Sequence, residues 1–305
     1  MKKLTSISIN LFLMMLFFLI SFHSSSVVAF AAEPLSPAIF IFGDSLSDDG
    51  NNNGLPTAAR ANYPPYGVDF VNGITGRFTN GKNVVDYIAE FLGLPCPPPY
   101  LGLSPDKRSK IITGVNYASA AAGILPETGT RMGKNIQLSE QVDNFEKTVQ
   151  QDLPQNFEFQ KDVADYLSQS IFIVNIGMND YGNNYLQPDF YNASKHYTPL
   201  QFAYLLVLRL SQQLKRLYDL GARKIVVFER LPLGCMPAAT NVIDFFPICI
   251  EPVNEMVLQF NFQLYPMLRR LTVDLPRSTF VDGRVYAPAY YACHNPSKYG
   301  EDSLI

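Results

Sequence analysis

The chain has 305 residues, 47% of them hydrophobic and 17% charged, which is a globular composition rather than a disordered or fibrous one. A net charge of −3 argues against nucleic acid or an anionic membrane surface as a partner. The length suits one large α/β domain with a substantial core, or two smaller domains.

The first segment reads as a leader. Lys2 and Lys3 precede an uninterrupted apolar run over residues 11–20, and Ala29-Phe30-Ala31 fits a small-x-small cleavage site. Residues 1–31 are therefore expected to be a signal peptide, with Ala32 at the mature start. The run is too short to span a bilayer comfortably, so no stable membrane anchor is expected. A secreted, extracellular protein follows. Secretion makes Cys96, Cys235, Cys249 and Cys293 potential disulfide partners, and four cysteines allow three connectivities. Asn192-Ala193-Ser194 is a glycosylation sequon. With no CxxC motif and no histidine pair at ligand spacing, neither a metal nor a cofactor is expected.

The apolar run at residues 38–42 predicts a buried parallel strand, which stops at Gly43. Asp44 and Ser45 then stand where open α/β sheets place their ligands. Ser45 is the candidate nucleophile; the alternative is that Asp44 and Ser45 only cap a following helix. Residues 48–54, rich in Asn and Gly, read as a flexible turn. In the loop over residues 61–80, Arg77 reads as an anchor rather than a chemical group. Thr79 or Asn80 is the expected cap of a helix over residues 82–92, with Val84, Val85, Ile88, Phe91 and Leu92 on its apolar face. Residues 114–123 read as a short strand end followed by small residues, which permit close backbone approach to a ligand or tight packing.

A helix is expected from Ser139 through Val142 and Phe145, and another near residues 161–168. The run at residues 171–176 predicts a second buried strand, again stopped by glycine at Gly177-Met178-Asn179-Asp180. Asn179 can donate to a developing oxyanion or simply shape its own turn. Thr198, Pro199 and Gly221 delimit a long helix whose buried stripe is Leu200, Phe202, Ala203, Leu206, Leu210, Leu214 and Leu217. A strand over residues 225–228, a helix over 253–271 and a last strand over 279–281 complete the alternation. Strands alternating with helices imply a parallel sheet with right-handed crossovers. With no internal repeat and no linker, residues 32–305 read as one domain.

Six blocks then line up in order: FGDSLSDDGNNN, ANYPPYG, TGRFTNGKNVVDYIAE, GVNYASAAAGIL, FIVNIGMNDYGNNYL, and LGARKIVVF with PLGCMP. Together they resemble the plant GDSL esterase/lipase family of SGNH hydrolases. The resemblance implies a flavodoxin-like three-layer α/β/α fold. It also implies a carboxylic ester hydrolase of lipid metabolism, acting on an ester or lipid substrate. Ser45 would be the nucleophile, Gly123 and Asn179 would line the oxyanion hole, and Cys235 would pair with Cys249. Glu229-Arg230 stands where relatives usually carry small residues, so that edge of the cleft is expected to differ.

One block of the family is missing. The triad Asp and His belong to an Asp-x-x-His motif after the last strand, and none exists in these residues. The histidines are His23, His196 and His294, and Tyr291 stands three residues before His294. Residues 295–300 resemble the stretch just before that motif, so the chain reads as a family member whose last helical segment is absent. Two functions follow: a serine esterase/lipase, or a non-catalytic relative that binds an ester-bearing lipid or glycan. His294, with Asp282 as its orienter, is the first candidate for a substitute base and His196 the second, the ordinary reading of both being surface histidines.

Overall fold

Each strand of the central sheet is five residues long, and the first two are apolar on both faces. The structure, a computed structural model, describes residues 33–240 and 249–299. The expected leader lies outside them. Within them, β1 (Ile39–Gly43), β2 (Ile171–Asn175), β3 (Lys224–Phe228) and β4 (Thr279–Gly283) form one sheet in that order. All pairings are parallel, and Gly43 lies opposite Asn175. The expected strand end near residue 115 adds to the free edge of β1 through a bridge between Ile41 and Asn116. Val115 O accepts from the Ile41 amide at 3.1 Å, and the Tyr117 amide donates to Ile41 O at 2.8 Å.

Alternation along the strands divides the core into two layers. Phe40, Phe42, Phe172, Val174, Ile225, Val227 and Phe280 face one way. They pack under α2 (Leu138–Lys147), α3 (Gln160–Gln169), α4 (Pro199–Asp219) and α5 (Glu251–Asp274). Ile39, Ile41, Ile173 and Phe228 face the other way, against Val85 and Ala89 of α1 (Val84–Phe91). These layers are those of the expected three-layer α/β/α fold. The short helix α6 (Tyr286–His294) follows β4.

The boundaries explain themselves through hydrogen bonds. Asn83, not Thr79 or Asn80, caps α1: its side chain accepts from the Val85 and Asp86 amides, and Asp86 answers to the Asn83 amide. The exposed positions of α1 also differ from expectation. Val84 and Phe91 face solvent, and the buried face runs through Val85 and Ala89. In α4, Thr198 and Gln201 form the expected capping box, and Gly221 leaves the helix at φ 111°. Leu200 is exposed, and the rest of the predicted stripe is buried. Cys235 and Cys249 are disulfide-bonded, 14 residues apart. Cys96 and Cys293 form no disulfide.

Phe145 is the hub of the larger layer, in ring contact with Phe40, Phe42, Tyr117 and Phe172. Phe145→Ala should lower unfolding stability by about 3–5 kcal/mol, the range for a fully buried phenylalanine whose cavity cannot collapse. Urea denaturation followed by circular dichroism measures it.

Candidate active site

At Gly43 a Cβ would lie 2.6 Å from the Asn175 carbonyl oxygen, so only glycine fits the end of β1. Both backbone groups of Gly43 are claimed by one side chain of α2. Its amide donates to Gln141 Oε1 at 2.9 Å, and its carbonyl accepts from Gln141 Nε2 at 2.8 Å. The Ser119 amide donates to the same carbonyl at 3.1 Å. The chain then turns sharply. Asp44 points into the protein, where Oδ1 accepts from the Leu46 amide at 3.1 Å, and the Ser47 amide donates to Asp44 O at 3.0 Å. Ser45 is left half-buried on the outside of this turn. Among the described residues, neither its hydroxyl nor its amide has a hydrogen-bond partner. The next helical turn starts only at Asn51–Gly54, and Asp48 accepts its leading amides, so capping does not account for Ser45.

The Asn-rich stretch is not a flexible turn. Asn51 and Asn52 are buried and clasp the small-residue segment. Asn51 Nδ2 donates to the carbonyls of Asn116 and Ala118, and Asn52 Nδ2 to that of Ala120. Asp48 completes the joint by accepting from the Ala120 amide at 2.9 Å; burial pushes its carboxyl up to about 6. The loop that follows is anchored as expected. Arg77 forms a buried fork to Asp86 at 2.7 and 2.8 Å and reaches Asp49 at 3.2 Å.

The small-residue segment departs from expectation in register. The Gly123 amide donates to Gln137 Oε1 at 2.7 Å, so it is committed away from Ser45. Glycine is needed there for room, because a Cβ would lie 2.4 Å from Thr128. Ala121 is the residue of this run whose amide has no partner among the described residues, and it adopts a left-handed φ of 62°. Such a conformation is strained for a residue with a Cβ. Asn179 sits in the turn after β2, and its Nδ2 donates to Ala122 O at 2.9 Å. Its Oδ1 accepts from Asn183 at 2.6 Å, which fixes the amide's orientation and leaves one N–H uncommitted. Ser45, Ala121 and Asn179 thus come from segments that meet at the carboxyl ends of β1 and β2.

Neither described histidine bonds to Ser45. His196 Nδ1 pairs with Asn192 O, and His294 Nδ1 with Tyr290 O, each one helical turn back. His294 lies against the Tyr290 ring, tilted by 36°, and beside Glu251 and Cys249, while Asp282 pairs with Arg284. His294 and Asp282 therefore do not form a dyad. The Cys249, Glu251 and His294 group is not a metal centre, because the Cys249 sulfur is consumed by the disulfide.

Arg230 carries a role that the sequence only hinted at, through a charged pair at the carboxyl end of a buried strand. Its side chain is fully buried over the Phe260 ring, with the guanidinium packed against Gly177. Asn261 brackets its backbone, accepting from its amide at 2.8 Å and donating to its carbonyl at 2.9 Å. Nη2 donates to Phe228 O, while Nε and Nη1 have no hydrogen-bond partner among the described residues. Its positive charge faces Asp44 and Asp180 without direct ion pairing. Asp180 accepts from the Ile124 and Leu125 amides and the Thr128 hydroxyl at 2.8–3.0 Å. Burial pushes Asp44 up to about 7 and Asp180 up to about 6, with Arg230 opposing both shifts. Burial also brings Arg230 down to about 10. The cation therefore sits behind the turn that presents Ser45.

Residues 39–302 match the family model of the GDSL-like Lipase/Acylhydrolase. The chain belongs to the GDSL esterase/lipase family. GDSL esterase/lipase 7 of Arabidopsis thaliana is 47% identical over 271 residues, covering 88% of this chain and 74% of that protein. Two further GDSL esterase/lipases of the same plant are 44% identical over 269 residues and 42% over 275. They cover 87% and 90% of this chain, and 69% and 75% of their own lengths. By family, this GDSL esterase/lipase is a carboxylic ester hydrolase.

Asp44 and Asp180 are among four buried carboxyls, with Asp48 and Asp49, that make its stability pH-dependent. Folded Asp44 and Asp180 hold protons that the unfolded chain releases near the ordinary 3.8, so their contribution falls as pH rises from about 4 to about 7. Asp44→Asn should flatten that fall. Melting temperatures across pH 4–8 test it, and an unchanged slope in the variant refutes the assignment.

Proposed function

We propose that the chain is a secreted esterase/lipase that cleaves carboxylic esters of acyl lipids through Ser45. The observation that carries the reading is the unpartnered Ser45 hydroxyl, set on a turn clamped by Gly43, Gln141 and Asp44. Ser45 Oγ attacks the ester carbonyl, its proton passes to a base, and the alcohol departs to leave an acyl-serine. Water then releases the acid and restores the hydroxyl. The negative charge on the carbonyl oxygen is held by the amides of Ser45 and Ala121 and by Nδ2 of Asn179, in place of the Gly123 amide.

These 305 residues carry no Asp-x-x-His. Without a base the serine stays a neutral hydroxyl, and loss of a triad member costs on the order of 10⁴–10⁶-fold in turnover. Oxyanion donors and binding alone leave roughly 10³–10⁴-fold over water. Neither described histidine bonds to Ser45, which favours a second reading, an ester-bearing lipid or glycan held without turnover. A nitrophenyl butyrate assay separates the two. Weak hydrolysis by the chain, lost in Ser45→Ala and raised at least a thousand-fold by appending the C-terminal segment of GDSL esterase/lipase 7, is expected. Robust turnover by the unextended chain, still dependent on Ser45, would mean that a base outside the motif serves it. Binding with no turnover in either version favours the second reading.

Secretion is supported by the leader pattern and by the Cys235–Cys249 disulfide, which suits an oxidising compartment. Asn192 is exposed, as a glycosylated asparagine must be. Edman sequencing of protein recovered from the medium should begin near Ala32; recovery of intact Met1 in the cytosol overturns the assignment.

A further inference from the structure

The loop over residues 61–80 carries an apolar surface that neither the fold nor the chemistry uses. Val71 is 89% exposed, Val68 67%, Tyr63 51% and Ile74 45%. Isolated exposed apolar side chains are ordinary, but four within twelve residues form a patch that asks for a partner. The patch is not a consequence of looseness. Gly67 and Gly73 close the loop on itself: a Cβ on Gly67 would lie 2.5 Å from Gly73 O. The Gly73 amide donates to Phe70 O at 2.8 Å, and Gly67 and Asp69 donate to Thr79 O and Asn80 O at 2.9 and 2.8 Å. Phe70 turns inward under the Arg77 guanidinium, 4.4 Å from its ring centre, and Arg77 is locked to Asp49 and Asp86. Val68 and Val71, which flank Asp69-Phe70, are thereby held outward.

The loop stands at the carboxyl end of the sheet, beside the turn that presents Ser45. Asn53 Nδ2 donates to Thr75 O at 2.8 Å, and Asn83 Nδ2 to Asp49 Oδ1 at 2.7 Å, so it is joined to the segment that follows Ser45. From residue 61 to residue 76 the sequence has one charged side chain, Asp69. Aliphatic side chains with tyrosine and proline beside them, and no exposed Lys or Arg, complement an uncharged surface. They lack the arginine and tryptophan anchors of a protein interface, and they offer nothing to an anionic headgroup.

We propose that this loop is a lipid-contact lip, which lays Val68, Val71 and Ile74 into an uncharged lipid surface and brings Ser45 to the ester groups beneath it. The proposal rests on the ester-hydrolase reading for its choice of lipid over protein, but binding and hydrolysis are measured separately. Flotation of the Ser45→Ala chain with phosphatidylcholine vesicles reads binding with no turnover. The expected result is co-flotation that survives 1 M salt and falls about ten-fold in Val71→Asp, as one apolar anchor is replaced by a charge. Val71 is exposed, so its substitution should not change the melting temperature. Failure of the parent to float, or flotation unchanged by Val71→Asp combined with Val68→Asp, overturns the proposal. So does binding confined to phosphatidylglycerol vesicles and lost in salt. Hydrolysis of a soluble nitrophenyl ester by Val71→Asp with Ser45 intact should match that of the unsubstituted chain. Absence of Ser45-dependent hydrolysis in the unsubstituted chain counts against the ester-hydrolase reading and leaves the flotation result to decide the lip.

Discussion

Everything at the carboxyl end of the sheet depends on how β1 is made to stop. A parallel strand ends with unpaired backbone groups, and inside a protein those must find partners. Here one glutamine supplies both, because a primary amide presents a donor and an acceptor side by side, as a neighbouring strand would. Gln141 therefore acts as a one-residue extension of the sheet. The chain beyond Gly43 is free to turn, and the residue at the top of that turn is Ser45. The cost of the arrangement is a close approach to the Asn175 carbonyl, which only glycine allows.

The second dependence is on buried charge. Asp44, Asp48, Asp49 and Asp180 all lie beneath the surface at the same end of the sheet, with Arg77 and Arg230 among them. Arg77 meets its carboxylates in ion pairs, and that corner of the molecule is a joint. Arg230 does not. Its influence on Asp44 and Asp180 is long-range, in a region where water cannot screen it. Removing such a lone cation would leave two carboxyls with only backbone and hydroxyl donors to hold them. Arg230 thereby bears on the turn that carries Ser45, through Asp44, and on the Ile124–Leu125 segment, through Asp180.

Much of this was legible from the residues alone. The strands announced themselves as apolar runs, and α4 as a capped, striped helix with a glycine exit, because those signals are local. The failures share one cause, which is that a tertiary partner decides. Asn83 rather than Asn80 caps α1 because Asp49 holds its side chain from 34 positions away. Phe91 is exposed because Ala89 is the size that fits against Ile39 and Ile41. Gly123 looked like an open amide, and Gln137 occupies it. Ala121 escaped notice because its left-handed backbone is invisible in an alanine run. His294 could be judged only once its ring was seen bonded to its own helix.

The locking of Arg77 has one more consequence. A loop that must order itself on meeting a surface loses roughly 1–2 kcal/mol of conformational entropy for each residue it fixes. That loss cancels much of what a few aliphatic side chains gain by leaving water. Between Tyr63 and Asn80 the ordering is already complete in the free protein, because Phe70, Arg77, Asp49 and Asp86 hold the backbone before anything arrives. Contact with this loop is then close to a rigid-body event, which spares the ordering loss and leaves only the loss of overall translation and rotation to be offset by buried area.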